Sequence, residues 1–230
     1  MPDLSAVIVA AGSSRRMGFD KLTAPLRGQP LVAQSLAAFN ACPHVGEIVF
    51  VCSEERFDEF SNVAAPFGKV SKIVRGGKER ADSVLAGVEA TAESEFVAVH
   101  DGARPLVTPR VISECFEAAI TYGAAVAAEP ATDTLHRANG EGMTIENVPR
   151  DGLWRMQTPQ ILRRTDLLGL LREAIAQGVA VTDEISLLIR AGGSAKVVDP
   201  GDWNLKVTYP KDLALVEMIL KIRAQSSTDI

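Results

Sequence analysis

"AVIVAAGSSRRMGFDK", residues 6–21, joins an apolar run to a glycine turn that is followed by two arginines and then by a lysine. A continuous run such as AVIVAA is typical of a strand that is buried on both faces, as in a parallel sheet. Ligands of such sheets bind beyond the carboxyl ends of the strands, where this turn is expected to lie. The stretch therefore predicts an α/β sheet with a positively charged ligand site at its first turn.

Similar apolar runs recur along the chain, with amphipathic segments between them. The further runs are EIVFVCS, KIVRGG, FVAVHD, AAVAAEP and AKVVDP. Helices are predicted in PLVAQSLAAFNAC, in PRVISECFEAAITYG with Thr108 as N-cap, Pro109 at N1 and Gly123 at its end, and from Pro210 onward. This βαβα order predicts a doubly wound, mostly parallel α/β sheet of the Rossmann-like kind, in a single domain covering residues 1–230.

One polar segment interrupts the alternation. Residues 131–150, ATDTLHRANGEGMTIENVPR, contain two short extended candidates, DTLHRA and MTIENV, around the turn-forming NGEG. The segment predicts a β-hairpin arm that leaves the sheet. Such an arm has little core of its own, so a second copy of the chain is the favoured cover, and a flap folded onto its own domain is the alternative.

Composition excludes several classes of protein. The chain has 230 residues, 47% of them hydrophobic, and a net charge of -5, so no overall basic field indicates a nucleic-acid partner. No apolar run approaches the length of a membrane span and no secretory leader is evident, which predicts a cytoplasmic protein without a membrane partner. The three cysteines and the three histidines are scattered, which argues against a disulfide framework, a zinc site and a Ser/His/Asp set.

The glycine turn fits neither common phosphate-loop pattern. A P-loop needs G-x-x-x-x-G-K-[ST] and a dinucleotide fingerprint needs G-x-G-x-x-G, and GSSRRMGFDK has neither spacing. The turn does combine exposed backbone N–H groups with Arg15, Arg16 and Lys21. Arginine forks and a lysine point charge suit a polyphosphate, although solvated surface arginines are the simpler alternative for this motif alone.

Three later stretches support a nucleotide site. RGGKERADSVLAGVEA places two glycines at a strand end, with Asp82 or Ser83 as a helix N-cap and the Ser83 hydroxyl within reach of a ribose or base. FVAVHDGARP places Asp101 just after a buried strand, where a carboxylate could hold Mg²⁺ jointly with phosphates or could serve only the turn. DPGDWNLKVTYPKDL places Lys206 on an extended segment before the last helix.

Taken in order, AAGSSRRMG…K, GGKERADSVLAG, HDGARP, DGLWRMQTPQ, TDE and NLKVTYPKDL resemble the 2-C-methyl-D-erythritol 4-phosphate cytidylyltransferase family. The resemblance spans residues 6 to about 220. It implies a nucleotidyltransferase fold of the GT-A-like kind, cytidylyl transfer from CTP to methylerythritol phosphate, Mg²⁺ as cofactor, and a homodimer joined through the 131–150 arms.

The resemblance also implies roles for individual residues. Arg16 and Lys21 would stabilise charge on the α-phosphate and the leaving pyrophosphate, and Arg150 and Lys206 would hold the acceptor phosphate. The cytidine pocket would be lined by Ala10, Ala11, Gly12, Gly77, Ser83 and Asp101, with Asp101 also ligating Mg²⁺. Thr134 and Arg150 would reach the neighbouring subunit's site, Thr158 and Thr182 would meet polyol hydroxyls, and Asp202 is more typical of a loop carboxylate.

Two other functions stay open at this point. Ribitol 5-phosphate cytidylyltransferases share the fold and most cytidine contacts, so only the acceptor pocket around Thr134, Arg150, Thr158 and Thr182 would differ. A catalytically silent nucleotide-binding module is the alternative from another class. The presence of Arg16, Lys21, Asp101 and Lys206 together favours an enzyme, because binding alone would not need the full set.

Overall fold

The structure, a computed structural model, describes residues 4–12 and 19–226, with only the backbone for Ser226. Its elements in chain order are β1 (Leu4–Ala10), β2 (Pro25–Leu26), β3 (Gln29–Pro30), α1 (Leu31–Ala41), β4 (Val45–Cys52), a 3₁₀ turn (Glu54–Arg56), α2 (Phe57–Ala64), β5 (Val70–Arg75), α3 (Arg80–Ala90), β6 (Phe96–Asp101), α4 (Pro109–Tyr122), β7 (Ala124–Pro130), β8 (Leu135–Ala138), β9 (Thr144–Val148), β10 (Trp154–Arg163), α5 (Arg164–Ala176), α6 (Glu184–Arg190), β11 (Lys196–Val198) and α7 (Pro210–Ser226).

The central sheet has seven strands in the order β11-β7-β10-β6-β1-β4-β5. Strand β10 runs antiparallel to both of its neighbours, and the other recorded pairings in this sheet are parallel. After β1 the chain builds outward through β4 and β5, and it then returns to the other side of β1 with β6. The predicted mostly parallel α/β sheet is therefore confirmed, and β1 and β6 flank its switch point, where such sheets bind ligands.

Helices cover both faces of the sheet and so bury alternate residues of each central strand. In β1, Ala6 and Ile8 pack into a core with α1, α2, α4 and α7, whereas Val7 packs into a second core with α3, α5 and α6. Burial on both faces explains why the sequence of β1 is continuously apolar rather than alternating. None of the helices in residues 4–12 and 19–226 combines the length and the apolar character needed to cross a membrane.

Most predicted helix boundaries are confirmed. Helix α4 begins at Pro109, the Thr108 hydroxyl accepts a hydrogen bond from Val111 N at 3.3 Å, and Gly123 ends the helix at a φ of 86°. That left-handed conformation suits glycine because it has no Cβ. Helix α7 begins at Pro210, as predicted.

The predicted N-cap of α3 at Asp82 or Ser83 is wrong. The helix begins at Arg80 with Glu79 as N-cap, and Asp82 lies at position N3, where its carboxylate accepts from Glu79 N at 2.9 Å. The sequence therefore contains a capping box in which both partners are acidic, a variant of the usual pattern. Because α3 begins earlier than predicted, Arg80 is the first residue of the helix and not a loop residue.

Strand β10 lies in the middle of the sheet although its sequence, WRMQTPQILR, is not a continuous apolar run. Its pairing with β7 is interrupted between Met156 and Gln160, and the buried polar residues Gln157, Thr158 and Gln160 lie in or next to this interruption. Their side chains bond to the polypeptide around them, which offsets the cost of burying them. Polar pairing of this kind has no signature in hydrophobic periodicity.

The predicted hairpin is present as the antiparallel pair β8–β9, within residues 131–150. In β9, Thr144, Ile145, Glu146 and Asn147 are exposed, and Ile145 is 60% exposed. Exposed apolar side chains on a two-stranded arm leave hydrophobic surface that the protomer does not itself cover.

Candidate functional site

Two glycine-containing loops meet at the carboxyl ends of β1 and β5. A Cβ at Gly76 would overlap the Cβ of Ala11 and would lie 2.7 Å from Ser83 Oγ. A Cβ at Gly77 would overlap Asp82. Glycines are therefore required here for close approach of the chain, and they bring the start of α3 against the turn after β1.

Ser83 holds the second loop in shape. Its hydroxyl accepts from Gly77 N at 3.1 Å and can donate to Glu79 O at 3.2 Å, and the residue is only 3% exposed. The structure thus groups Ala10, Ala11, Gly12, Gly77 and Ser83, the predicted cytidine-side residues, at one edge of the sheet. A contact of the buried Ser83 hydroxyl with a nucleotide stays a prediction.

Arg56, which belongs to none of the predicted motifs, supports the first loop. Its Nη1 donates to Gly12 O at 3.2 Å, and its Nε lies 2.5 Å from Asp20 Oδ2. The guanidinium thereby connects the residues before and after the segment 13–18. Arg16 belongs to that segment and lies outside the described residues, as does Arg15.

Asp101, at the end of β6, is surrounded by cations. Lys206 Nζ lies 2.9 Å from Oδ2, Arg104 Nε lies 3.5 Å from Oδ2, and Arg80 Nη2 lies 3.7 Å from Oδ1. Burial raises the pKa of this carboxyl, but Lys206, Arg80 and Arg104 lower it by more, so the pKa ends well below its usual range. Asp101 is therefore an ionised carboxylate at neutral pH.

A chain of buried hydrogen bonds holds the backbone of Asp101. Asp101 N donates to Thr158 Oγ1 at 3.1 Å, Thr158 Oγ1 lies 3.0 Å from His100 Nδ1, and His100 Nε2 lies 3.3 Å from Arg104 O. Because a carbonyl can only accept, Nε2 carries the imidazole proton and the Thr158 hydroxyl donates to Nδ1. Burial lowers the pKa of His100 to about 3, which keeps the imidazole neutral as this arrangement requires.

Lys206 lies on a loop that is fastened to the end of β6. Val207 N donates to Ala103 O at 2.9 Å, and Arg104 Nη1 donates to Asn204 O at 2.9 Å. Lys21 Nζ donates to Val207 O at 2.8 Å, so the first and the last motifs of the chain meet here. The structure thus brings Lys21, Asp101 and Lys206 into one region.

A buried ion pair adjoins this region. Arg80 Nη1 and Nη2 donate to Glu184 Oε1 and Oε2 at 2.5 and 3.2 Å. Glu184 is fully buried at the start of α6, and burial raises the pKa of its carboxyl despite the lowering effect of Arg80. The same arginine therefore faces two carboxylates, Glu184 and Asp101.

The other predicted acceptor residues have different surroundings in the single protomer. Thr134 and Arg150 are exposed on the arm segment, where Arg150 Nη1 donates to Thr132 O. Thr182 is exposed beside the start of α6, and Thr158 is buried with its hydroxyl engaged by Asp101 and His100. Direct contact of these threonines with a substrate stays a prediction. Asp202 pairs with Arg223 at 2.7 Å, consistent with a loop carboxylate.

The donor set at Asp101 fits a magnesium ion that is shared with phosphates. Mg²⁺ commonly takes one or two carboxylates and completes its shell with water and substrate oxygens. Asp101 supplies one ionised carboxylate, and Arg80, 3.7 Å away, is beyond hydrogen-bond distance of its Oδ1. Within the described parts of the chain no three His, Cys, Asp or Glu residues form a metal-binding group, so an all-protein cage is not formed by these residues.

A protein-family model described as 2-C-methyl-D-erythritol 4-phosphate cytidylyltransferase matches residues 4–222. The chain belongs to this family. Curated members of the 2-C-methyl-D-erythritol 4-phosphate cytidylyltransferases from Symbiobacterium thermophilum and Dehalococcoides mccartyi are each 38% identical to it. The alignments cover 96% and 95% of this chain, and 94% and 96% of those proteins.

Solved cytidylyltransferase structures have the same fold. A 4-diphosphocytidyl-2C-methyl-D-erythritol synthase from Anaerococcus prevotii is 25% identical, with a TM-score of 0.84 over 95% of this chain and 96% of that chain. The 2-C-methyl-D-erythritol 4-phosphate cytidylyltransferase from Thermus thermophilus is 29% identical, with a TM-score of 0.76 over 94% of this chain and 98% of that chain. A bifunctional IspD/IspF enzyme of Desulforudis audaxviator is 39% identical over 96% of this chain but only 57% of its own length, so the likeness is to one part of that enzyme.

Three charged residues near Asp101 lie inside sequence motifs that do not by themselves predict a role for them. Arg80, Arg104 and Glu184 belong to GGKERADSVLAG, HDGARP and TDE. Arg80 and Glu184 are 104 residues apart in the chain, and Arg104 and Asn204 are 100 apart. Motif position could have identified these residues as candidates, but their partners are visible only in the folded chain.

Proposed function

We propose that the protein transfers the cytidylyl group of CTP to 2-C-methyl-D-erythritol 4-phosphate, giving 4-diphosphocytidyl-2-C-methyl-D-erythritol and pyrophosphate. The observation that carries the proposal is the meeting of Lys21, Asp101 and Lys206 at the switch point of a sheet in a member of this family. A cluster of fixed charges at that edge suits the handling of phosphates.

The reaction needs positioning and charge stabilisation rather than a protein nucleophile. An oxygen of the acceptor phosphate attacks the α-phosphorus of CTP, the bond from that phosphorus to the bridging oxygen of the β-phosphate breaks, and pyrophosphate leaves with the electron pair. Lys206 and Arg150 hold the acceptor phosphate in line. Arg16 and Lys21 offset the negative charge that grows on the α-phosphate and the leaving group.

The remaining assigned residues bind and orient the substrates. Ala10, Ala11, Gly12, Gly77 and Ser83 line the cytidine side, and Thr134, Thr158 and Thr182 serve the polyol. Asp101 contacts the ribose and would hold Mg²⁺, which would offset negative charge on the phosphates of CTP. Asp101 suits the role of metal ligand because its carboxyl stays ionised.

The protein is further proposed to act as a homodimer whose 131–150 arms complete the neighbouring sites. The exposed apolar side chains of the arm and the strand after it support this assembly: Met143, Ile145, Leu153, Trp154 and Met156. We place the enzyme in the cytoplasm, in keeping with cysteines that are all unpaired and buried.

The test of the function is pyrophosphate release from CTP and Mg²⁺ with methylerythritol 4-phosphate or ribitol 5-phosphate, measured side by side. Release with the first acceptor only is expected. Release with ribitol 5-phosphate only would show that the proposed acceptor is wrong and that the proposed cytidylyl transfer is right. CTP binding by calorimetry without release with either acceptor would favour a silent module.

Replacing Arg150 with alanine is expected to raise the KM for the acceptor about ten- to hundredfold, the range for losing a hydrogen bond to a charged group. Steady-state kinetics with varied acceptor measure it. Arg137→Ala is the matched control, since Arg137 is an exposed arm arginine paired with Glu146. An unchanged KM would remove Arg150 from the acceptor site.

Mixing Arg150→Ala with Lys21→Ala chains tests whether sites are shared. A mixed dimer would have one site with both an intact Lys21 and an intact arm, so random mixing should return about one quarter of the wild-type sites. Heterodimers verified by two affinity tags but without recovered turnover would show that each arm serves its own subunit.

A further inference from the structure

Glu184, in its pair with Arg80, is the most deeply buried charged side chain in any ion pair recorded among the described residues. The Glu184 side chain is 0% exposed and that of Arg80 is 24% exposed, and two hydrogen bonds join them in a fork. Taking two such charges out of water costs several kcal/mol, which their attraction repays only when the geometry is good. Because a pair of this kind is weak evidence for stability, its position calls for another explanation.

The pair joins the two halves of the site. Arg80 is the first residue of α3, three residues before Ser83 on the nucleotide side. Glu184 is the first residue of α6, two residues after Thr182 on the acceptor side. A side-chain contact across 104 residues of sequence therefore sets how far apart these two loops stand.

The acceptor-side loop has few other fixed points at its exposed end. Asp183 caps α6 by accepting from Ser186 N at 2.7 Å, which orders the loop internally. Ile185 N donates to Gln160 Oε1 at 2.9 Å, which ties the first turn of α6 to β10. Among these residues, Glu184 supplies the recorded hydrogen bonds to α3 beside Asp101, and Asp183 adds only an electrostatic attraction to Arg80.

Arg80 also takes part in the charge balance at Asp101. Its Nη2 is 3.2 Å from Glu184 Oε2 and 3.7 Å from Asp101 Oδ1, so the hydrogen bond goes to Glu184. Glu184 thereby holds Arg80 back from Asp101 and leaves Lys206 as the hydrogen-bonded cation of that carboxylate. Without the charge of Glu184, the guanidinium would be drawn toward Asp101 and would compete with Lys206.

We propose that Glu184 and Arg80 are positioning residues that couple the nucleotide side of the site to the acceptor side. Glu184 orients Arg80, Arg80 fixes the Thr182 loop against α3, and Asp101 stays free to work with Lys206. This proposal rests on the proposed function for its kinetic readout. It assigns neither residue a contact with the reacting atoms.

Glu184→Gln tests the coupling because it keeps the side-chain shape and removes the charge. We expect kcat/KM for the acceptor to fall ten- to hundredfold, the usual loss when a residue that orients a site is changed, and the Kd for CTP to stay within about threefold. Arg80→Lys retains a cation but not the fork and should give the same defect. The double variant should lose little more than either single variant.

Glu89→Gln is the matched control. Glu89 pairs with Arg172 at 2.8 Å between α3 and α5, but both side chains are largely exposed. Its kinetics should equal those of the wild type. If Glu184→Gln lowered the unfolding temperature while leaving kcat and KM within twofold of wild type, the pair would be structural only and the proposal would be wrong. If Glu184→Gln did not fold, Arg80→Lys would decide by the same criterion.

Amide hydrogen exchange provides a readout that needs no acceptor. In the wild type, CTP is expected to protect both residues 76–83 and residues 181–185, whereas in Glu184→Gln it should protect only residues 76–83. Equal protection of both segments in the variant would overturn the coupling. Wild-type protein that binds CTP with this pattern but releases no pyrophosphate would refute the proposed function alone, and wild-type protein that does not bind CTP would refute both.

Discussion

Lys206→Ala is expected to lower kcat about a hundredfold or more and to change the affinity for CTP little. Lys206 holds the attacking phosphate in line with the α-phosphorus, so its loss misaligns the acceptor and slows the chemical step, whereas CTP binding does not depend on it. The fold should tolerate the change, because Asp101 keeps Arg80 and Arg104 as neighbouring cations. Single-turnover kinetics together with calorimetric titration of CTP separate the two effects.

Lys211→Ala is the matched control for this prediction. Lys211 is an exposed lysine in the first turn of α7, five residues from Lys206, and it lies over the ring of Tyr209. It should leave kcat unchanged. A wild-type kcat in Lys206→Ala would exclude Lys206 from the mechanism, and an equal loss in both variants would point to a general charge effect.

The neutral, buried His100 is expected to make the protein lose stability as pH falls. Burial lowers its pKa to about 3, with Asp101 opposing the shift and Arg104 and Lys206 adding to it. An unfolded histidine has a pKa near 6.5. Between the folded and the unfolded pKa, His100 is therefore protonated in the unfolded chain but neutral in the folded chain. The contribution of His100 is thus complete above about pH 6.5 and declines by about 1 kcal/mol per pH unit below it.

Denaturant unfolding of wild-type and His100→Asn protein in chelator-treated buffer between about pH 7 and pH 4 measures this decline. The wild type should be the more stable at pH 7, and its advantage should shrink as the pH falls. Titrating carboxylates are common to both proteins and therefore largely cancel in the difference. His136→Gln, at an exposed arm position, should have the same free energy of unfolding as the wild type at each pH. A pH-independent advantage would mean that His100 titrates normally.

The fold could be predicted from the sequence where the signal is local. The strands β1, β4, β5, β6, β7 and β11 each correspond to an apolar run, and the boundaries of α4 follow from Thr108, Pro109 and Gly123. Strand β10 was missed because its buried polar side chains are satisfied by distant partners. For example, Asn204 Nδ2 donates to Gln157 Oε1 across 47 residues.

The residues of the candidate site also fall into two groups, those that a sequence motif predicts and those that only the folded chain identifies. The motif positions of Lys21, Asp101 and Lys206 predict that they act together, whereas motif position alone predicts no role for Arg80, Arg104 and Glu184. Arg56 had no motif to identify it, since its partners are the backbone carbonyls of Ala10 and Gly12, 46 and 44 residues away, and the carboxylate of Asp20. Nothing in the local sequence of an arginine records which carbonyl it will reach.

The sequence by itself determined the doubly wound sheet, the β-hairpin and the edge of the sheet at which Lys21, Asp101 and Lys206 meet. These follow from backbone propensity and hydrophobic pattern, which act over a few neighbouring residues. Only the tertiary structure decided that Lys206 pairs with Asp101 across 105 residues, that Glu184 holds Arg80, and that His100 is neutral. Those outcomes depend on burial and on distances between side chains from different elements, and both exist only once the sheet and its helices have packed.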